Sequence, residues 1–172
     1  MSRSLIALFL LSLTLLVSAC SGEQSDETKK EAKAPVVLTA PSGTDDNAWK
    51  TYLGQVAGQN QEGVTDRTIG YYLPANSTTP DPADPDNKSQ YDRQFDLVQT
   101  AIARTVTPGN MLAFGSPDST KMADLIVAAF TGAEPDAVKG SKVLFIGKPI
   151  DSGRVQTVVE AAGGKYVFVE AK

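Results

Sequence analysis

Lys142-Val143-Leu144-Phe145-Ile146-Gly147-Lys148-Pro149-Ile150-Asp151-Ser152-Gly153 reads as a strand, a turn and the opening of a helix. Val143 to Ile146 are apolar without alternation, the pattern of a strand covered on both faces rather than one. Asp151 or Ser152 then offers an N-cap, because a short polar side chain accepts one of the unpaired N–H groups of a helix's first turn. Val155, Val158, Val159 and Ala162 follow at spacings of three and four, which places them on one helical face. Gly163-Gly164 supplies the stop.

The same unit recurs upstream. Asn110 to Phe114 is a second apolar run, and Gly115-Ser116-Pro117-Asp118 predicts Ser116 as N-cap with Pro117 in the first helical position, where its missing N–H costs nothing. Met122, Leu125, Ile126 and Ala129 form the stripe of that helix. Thr68 to Leu73 is a strand followed by a helix carrying Tyr91, Phe95, Val98 and Ile102. Pro35 to Thr39 is a strand followed by a helix carrying Trp49, Leu53 and Val56, and Lys165 to Glu170 closes the series. Strands alternating with helices imply crossover connections and a mostly parallel sheet between helical layers. The expectation is a small three-layer α/β domain over residues 35–172, with about five strands and four helices.

Composition removes whole classes of chemistry. The chain has no histidine and one cysteine, Cys20, so Ser-His-Asp and Cys-His catalysis, histidine proton shuttling and the usual zinc ligand sets are all unbuildable. The 20 acids outnumber the 16 bases. That balance argues against nucleic acid as a partner, since such binding rests on clustered Lys and Arg neutralising phosphates. The reading is a non-catalytic domain with no cofactor and no metal.

The first residues form a different object. Arg3 precedes an almost unbroken apolar run from Leu5 to Val17, the charge-then-apolar order of a secretion signal and shorter than a membrane span. The run ends Leu16-Val17-Ser18-Ala19-Cys20, which resembles the lipobox of bacterial lipoprotein precursors. That resemblance implies removal of residues 1–19, a diacylglyceryl group on the thiol of Cys20, and anchoring to a membrane of the bacterial envelope. Ser21 after the lipidated cysteine, where the family uses aspartate for inner-membrane retention, implies the outer membrane facing the periplasm. Ser21 to Ala34 contain no aliphatic residue larger than alanine and read as a tether.

Ligands of open α/β sheets bind beyond the carboxyl ends of the strands. The loops there point to Ser42, Thr44, Ser116, Ser119, Lys148 and Ser152 as candidate ligand residues, hydroxyls and a cation near helix N-termini where an anion is welcome. Gly147-Lys148-Pro149-Ile150 is similar to the Lys-Pro step of phospho-receiver domains, but the third candidate strand ends Phe114-Gly115-Ser116 without their aspartate. The stretch Thr79 to Asn87 holds three aspartates among three prolines and reads as a stiff solvated loop rather than a calcium site. Tyr71 and Tyr72 precede it and are expected to divide, one packing in the core and one lining the loop. The leading function is binding of an envelope protein or cell-wall partner. The alternatives are binding of a small molecule or anion at the strand-end loops, and a hydrolase built on carboxylates, Ser and Lys.

Overall fold

The computed structural model describes residues 37–172. The expected signal peptide, Cys20, the expected tether and the first two residues of the expected Pro35 to Thr39 strand lie outside the described residues. The elements run α1 (Asp46–Gln59), β1 (Thr68–Tyr72), α2 (Gln90–Ala103), β2 (Met111–Gly115), α3 (Ser119–Phe130), β3 (Lys142–Gly147), α4 (Pro149–Ala161) and β4 (Lys165–Glu170). The domain is α/β, with a wholly parallel sheet in the order β1-β2-β3-β4.

Strands laid down in sequence order, each joined by a crossover of the same hand, send every connecting helix to one face. Accordingly α2, α3 and α4 share one core with Tyr71, Leu112, Phe114, Val143 and Phe145. The alternate residues Tyr72, Met111, Ala113, Leu144 and Ile146 point to the other face and pack with Trp49, Leu53 and Val56 of α1. β2 and β3 are buried along their whole length, which explains why their sequences are continuously apolar.

Among the described residues the sheet has four strands, close to the expected number of about five, and the expected Pro35 to Thr39 strand is not among them. Residues 37–40 form no ladder. Val37 is 91% exposed, Leu38 leans on the α1-side core, and a backbone bond from the Ala40 N–H to the Lys172 carbonyl at 2.6 Å ties the segment to the residues that follow β4.

Two caps also differ from expectation. Asp118, not Ser116, caps α3 by accepting the Lys121 N–H, and Ser116 Oγ instead accepts the Asp118 N–H at 3.0 Å. α4 begins one turn earlier than its polar residues suggest, with Lys148 in the cap position and Pro149 in the first turn. Asp151 thus lies inside the first turn. Gly147 admits this tight passage from β3 to α4, since a Cβ there would stand 2.5 Å from the Phe145 ring and 2.6 Å from Ser119 Oγ. Gly163, at φ +81°, ends α4 as predicted.

Candidate functional site

Two openings compete for the role. The first is a cavity of about 330 Å³ at the carboxyl ends of β2, β3 and β4, walled by Trp49. It collects Ser42, Ser116, Ser119 and Lys148, four of the six residues expected to serve a ligand. Thr44 and Ser152 are not among its lining residues: Thr44 is exposed, and Ser152 Oγ is engaged with the Tyr166 hydroxyl at 3.0 Å.

Most hydroxyls of this cavity already have employment inside the protein. Ser119 Oγ donates to the Asp151 carboxylate at 2.7 Å and accepts the Lys148 N–H at 2.8 Å. Thr120 donates to the same carboxylate at 3.3 Å, and Arg154 binds it at 2.8 Å while also pairing with Asp124. Asp151 is buried, which pushes its carboxyl up, yet the Ser119 hydroxyl and the Arg154 guanidinium outweigh burial and hold it below the usual carboxylate range. An internal carboxylate therefore stands where the Ser and Thr of the α3 N-terminus would meet a ligand anion. The order β1-β2-β3-β4 also contains no reversal, so the sheet offers no crevice of the kind that opens where strand order switches. What remains for a ligand is Ser42, Lys148 in no ion pair among the described residues, and Lys172, which is held by Glu170 at 2.8 Å.

The second opening follows the outer edge of β1. One groove of about 640 Å³ lies on the α1 side, between Lys50, Gly54, Gly58 and Gln61 of the helix region and Thr68, Gly70 and Tyr72 of the strand. Another of about 550 Å³ lies on the α2 side, between Ile69 and Gly70 and the α2 residues Leu97 and Thr100 with Arg104 at the helix's C-cap. The edge itself is chemically unfinished. The Met111 N–H donates to the Arg67 carbonyl and the Leu73 N–H to the Gly115 carbonyl, so residues 67, 69, 71 and 73 face β2. By the alternation of a parallel ladder, Thr68, Gly70 and Tyr72 turn their N–H and C=O groups outward. Gln94 of α2 reaches this edge and donates to the Tyr72 carbonyl at 3.3 Å, while its own Oε1 is buried without a partner.

Sequence reasoning missed this site, because which strand becomes an edge is a property of the assembled sheet. The available signal was glycine inside regular elements. Gly54 and Gly58 in a helix and Gly70 in a strand each forgo stability, which commonly marks close approach by something else. Tyr71 and Tyr72 take opposite faces as expected, but both are buried, Tyr71 stacked on Phe114 at 4.9 Å and Tyr72 donating to Asp46 at 2.9 Å.

The Pro/Asp loop is tied together by internal hydrogen bonds and ion pairs. Asp81 accepts the Ala83 N–H and Asp84 accepts the N–H groups of Asp86 and Lys88, while Arg93 joins both carboxylates at 3.3 and 3.1 Å. The Lys88 N–H is the main cause holding the Asp84 carboxyl below its ordinary range. Among the described residues no group of three or more acidic, histidine or cysteine side chains is placed to hold a metal, and no helix is long and apolar enough to cross a membrane.

Comparison with family models, with curated proteins and with solved structures finds no match to this chain.

Proposed function

We propose that this chain is a bacterial envelope lipoprotein, anchored through lipid on Cys20 in the outer membrane and facing the periplasm, whose α/β domain binds a protein or cell-wall partner without catalysing a reaction. The observation that carries the binding reading is the β1 edge, with outward backbone groups on Thr68, Gly70 and Tyr72 and a groove on each face. An edge of this kind is a template for another chain unless something blunts it. The lipobox-like Leu16 to Cys20 stretch supports the anchor.

The test is site-specific photo-crosslinking in intact cells. A photoreactive residue at Leu97, on the rim of the α2-side groove, should yield a discrete adduct, and the same residue at Gln156 on exposed α4 should not. Equal labelling from both positions would remove the β1 edge as the binding surface. For the anchor, Cys20→Ser should abolish acylation, and a variant that still enters membranes as the wild type does after signal removal would contradict it.

A second reading is supported by charge. In a chain with excess acid, the strand-end cavity is lined by Lys148 and Lys172 and by no carboxylate side chain, which suits a small anionic ligand. Titration with inorganic phosphate and with citrate, followed by Trp49 fluorescence, should then respond in the wild type and fail in Lys148→Ala.

A further inference from the structure

We propose that the β1 edge recognises an extended acidic peptide segment of a partner, which adds to the sheet as a fifth strand beside Thr68, Gly70 and Tyr72. The inference rests on the partner-binding reading and names the partner's chemistry.

The shape of the edge selects a single chain. α2 packs against α3 and buries Val98 and Ile102 in the core it shares with Tyr71, Leu112 and Phe114, and the α2-side groove lies between its outer residues and Ile69 and Gly70. Antiparallel pairing of two β1 edges would bring the two α2 helices together on one face of the joined sheet. An extended segment carries no helix and meets no such conflict.

The chemistry of the edge selects a backbone. Gln94 already acts as a fragment of the missing strand: its amide N–H group sits on the Tyr72 carbonyl, where a neighbouring chain's N–H would lie. Its Oε1 is buried and has no hydrogen-bond partner. A buried acceptor without a partner is costly, and this one is adjacent to the unpaired edge. On the other face Gly54 and Gly58 hold space open, since a Cβ at either would touch nothing within 4 Å. Main-chain bonds of this kind supply affinity, and the grooves on either face supply choice of side chain.

Charge selects acid. Lys50 lies over the Tyr72 ring in the α1-side groove, and Arg104 lines the α2-side groove near Ile69. Among the described residues neither is in an ion pair, whereas Asp96, the one acid in these linings, is held by Lys88 at 2.7 Å. Lys50 lines the α1-side groove and Arg104 the α2-side groove, so the two cations lie on opposite faces of the edge. Acidic residues at i and i+3 of an extended peptide likewise lie on opposite faces, about 10 Å apart along the chain.

The experiment uses a labelled peptide of about ten residues, the length of a long strand, rich in Thr and Val with two Glu at i and i+3. Its anisotropy is followed against the whole chain in detergent. Binding is expected, with affinity reduced at least about tenfold by Lys50→Glu or Arg104→Glu, the scale of one charge-assisted contact. Gly58→Leu should abolish binding without lowering the melting temperature, because it fills the groove while improving a helix position. N-methylation of the peptide on its β1-facing residues should also abolish binding. If the Glu→Gln peptide binds equally well, the acidic assignment falls and the partner-binding edge stands. If neither peptide binds, or Gly58→Leu has no effect, the edge reading falls as well. If binding appears only after Glu23 and Asp26 are replaced, the chain's own acidic segment is the occupant and the partner assignment is overturned.

Discussion

The two edges of one sheet are treated differently. β4 carries charge at both ends, Lys165 and Glu170, and the backbone bond from Ala40 to Lys172 occupies its exit. β1 reads Thr-Ile-Gly-Tyr-Tyr, with no charge, proline or bulge, and a glycine at its centre. Charged residues and covering segments are the usual means of keeping a strand edge from pairing. β4 is guarded and β1 carries no such guard. The difference is what the proposed reading expects of a binding edge, since the same chain carries the means to close one.

The largest expected effect lies between the edges. Phe145 is fully buried at the centre of β3, and its ring approaches Phe168 of β4 at 6.0 Å. Phe145→Ala should cost about 3–5 kcal/mol by chemical denaturation, the range for an aromatic cavity. Hydrogen exchange in the variant should rise first in β4, because Tyr71 and Phe114 stack on each other and support β1 separately. Uniform loss across both edges would erase the distinction between them.

Next comes Asp151, which ties α3 to α4 through Ser119, Thr120 and Arg154. Asp151→Ala should cost about 1.5–3 kcal/mol at neutral pH, the range for hydrogen bonds to a charged group. Because its carboxyl is held low in the folded state, the stabilisation is present above the unfolded carboxylate value near about 3.9 and is lost as pH falls through the folded value. The gap between wild type and Asp151→Asn should therefore narrow in acid. A gap that widens as pH falls would mean that the carboxylate is not the stabilising species.

The smallest effect is at the open edge. Gly58→Ala removes an unfavourable glycine from α1 into empty space and should stabilise by about 0.5–1 kcal/mol. Destabilisation would show that the α1-side groove is filled by the protein itself.

Much of this architecture is legible in the sequence. Lys165–Glu170 matches the expected strand residue for residue, β1 and β3 differ from expectation by one residue at one end, and β2 is shifted by one residue at both ends; for β2 and β3, continuous burial leaves a continuous apolar record. Val98, Ile102, Met122, Val155 and Val159 are buried as their spacing requires. Pro35 to Thr39 misled because a short apolar run is equally a segment that leans on a core, as Leu38 does, without joining a ladder. The strand-end residues were the natural expectation for a sheet with a reversal of order. Sequence does not record that this sheet has none, nor that Asp151 turns inward to use the hydroxyls of Ser119 and Thr120. The β1 edge is invisible for the same reason: only the finished strand order says that, among the described residues, no strand pairs with Thr68, Gly70 and Tyr72 on one side.

Residue-resolved hydrogen exchange with and without the two-Glu peptide tests the central claim most directly. The amides of Thr68, Gly70 and Tyr72 should exchange fast in the free protein and become protected when the peptide is bound, while those of Tyr166, Phe168 and Glu170 on the guarded edge keep their rates. Protection of the β4 amides, or peptide binding that leaves Gly70 unprotected, would contradict the account.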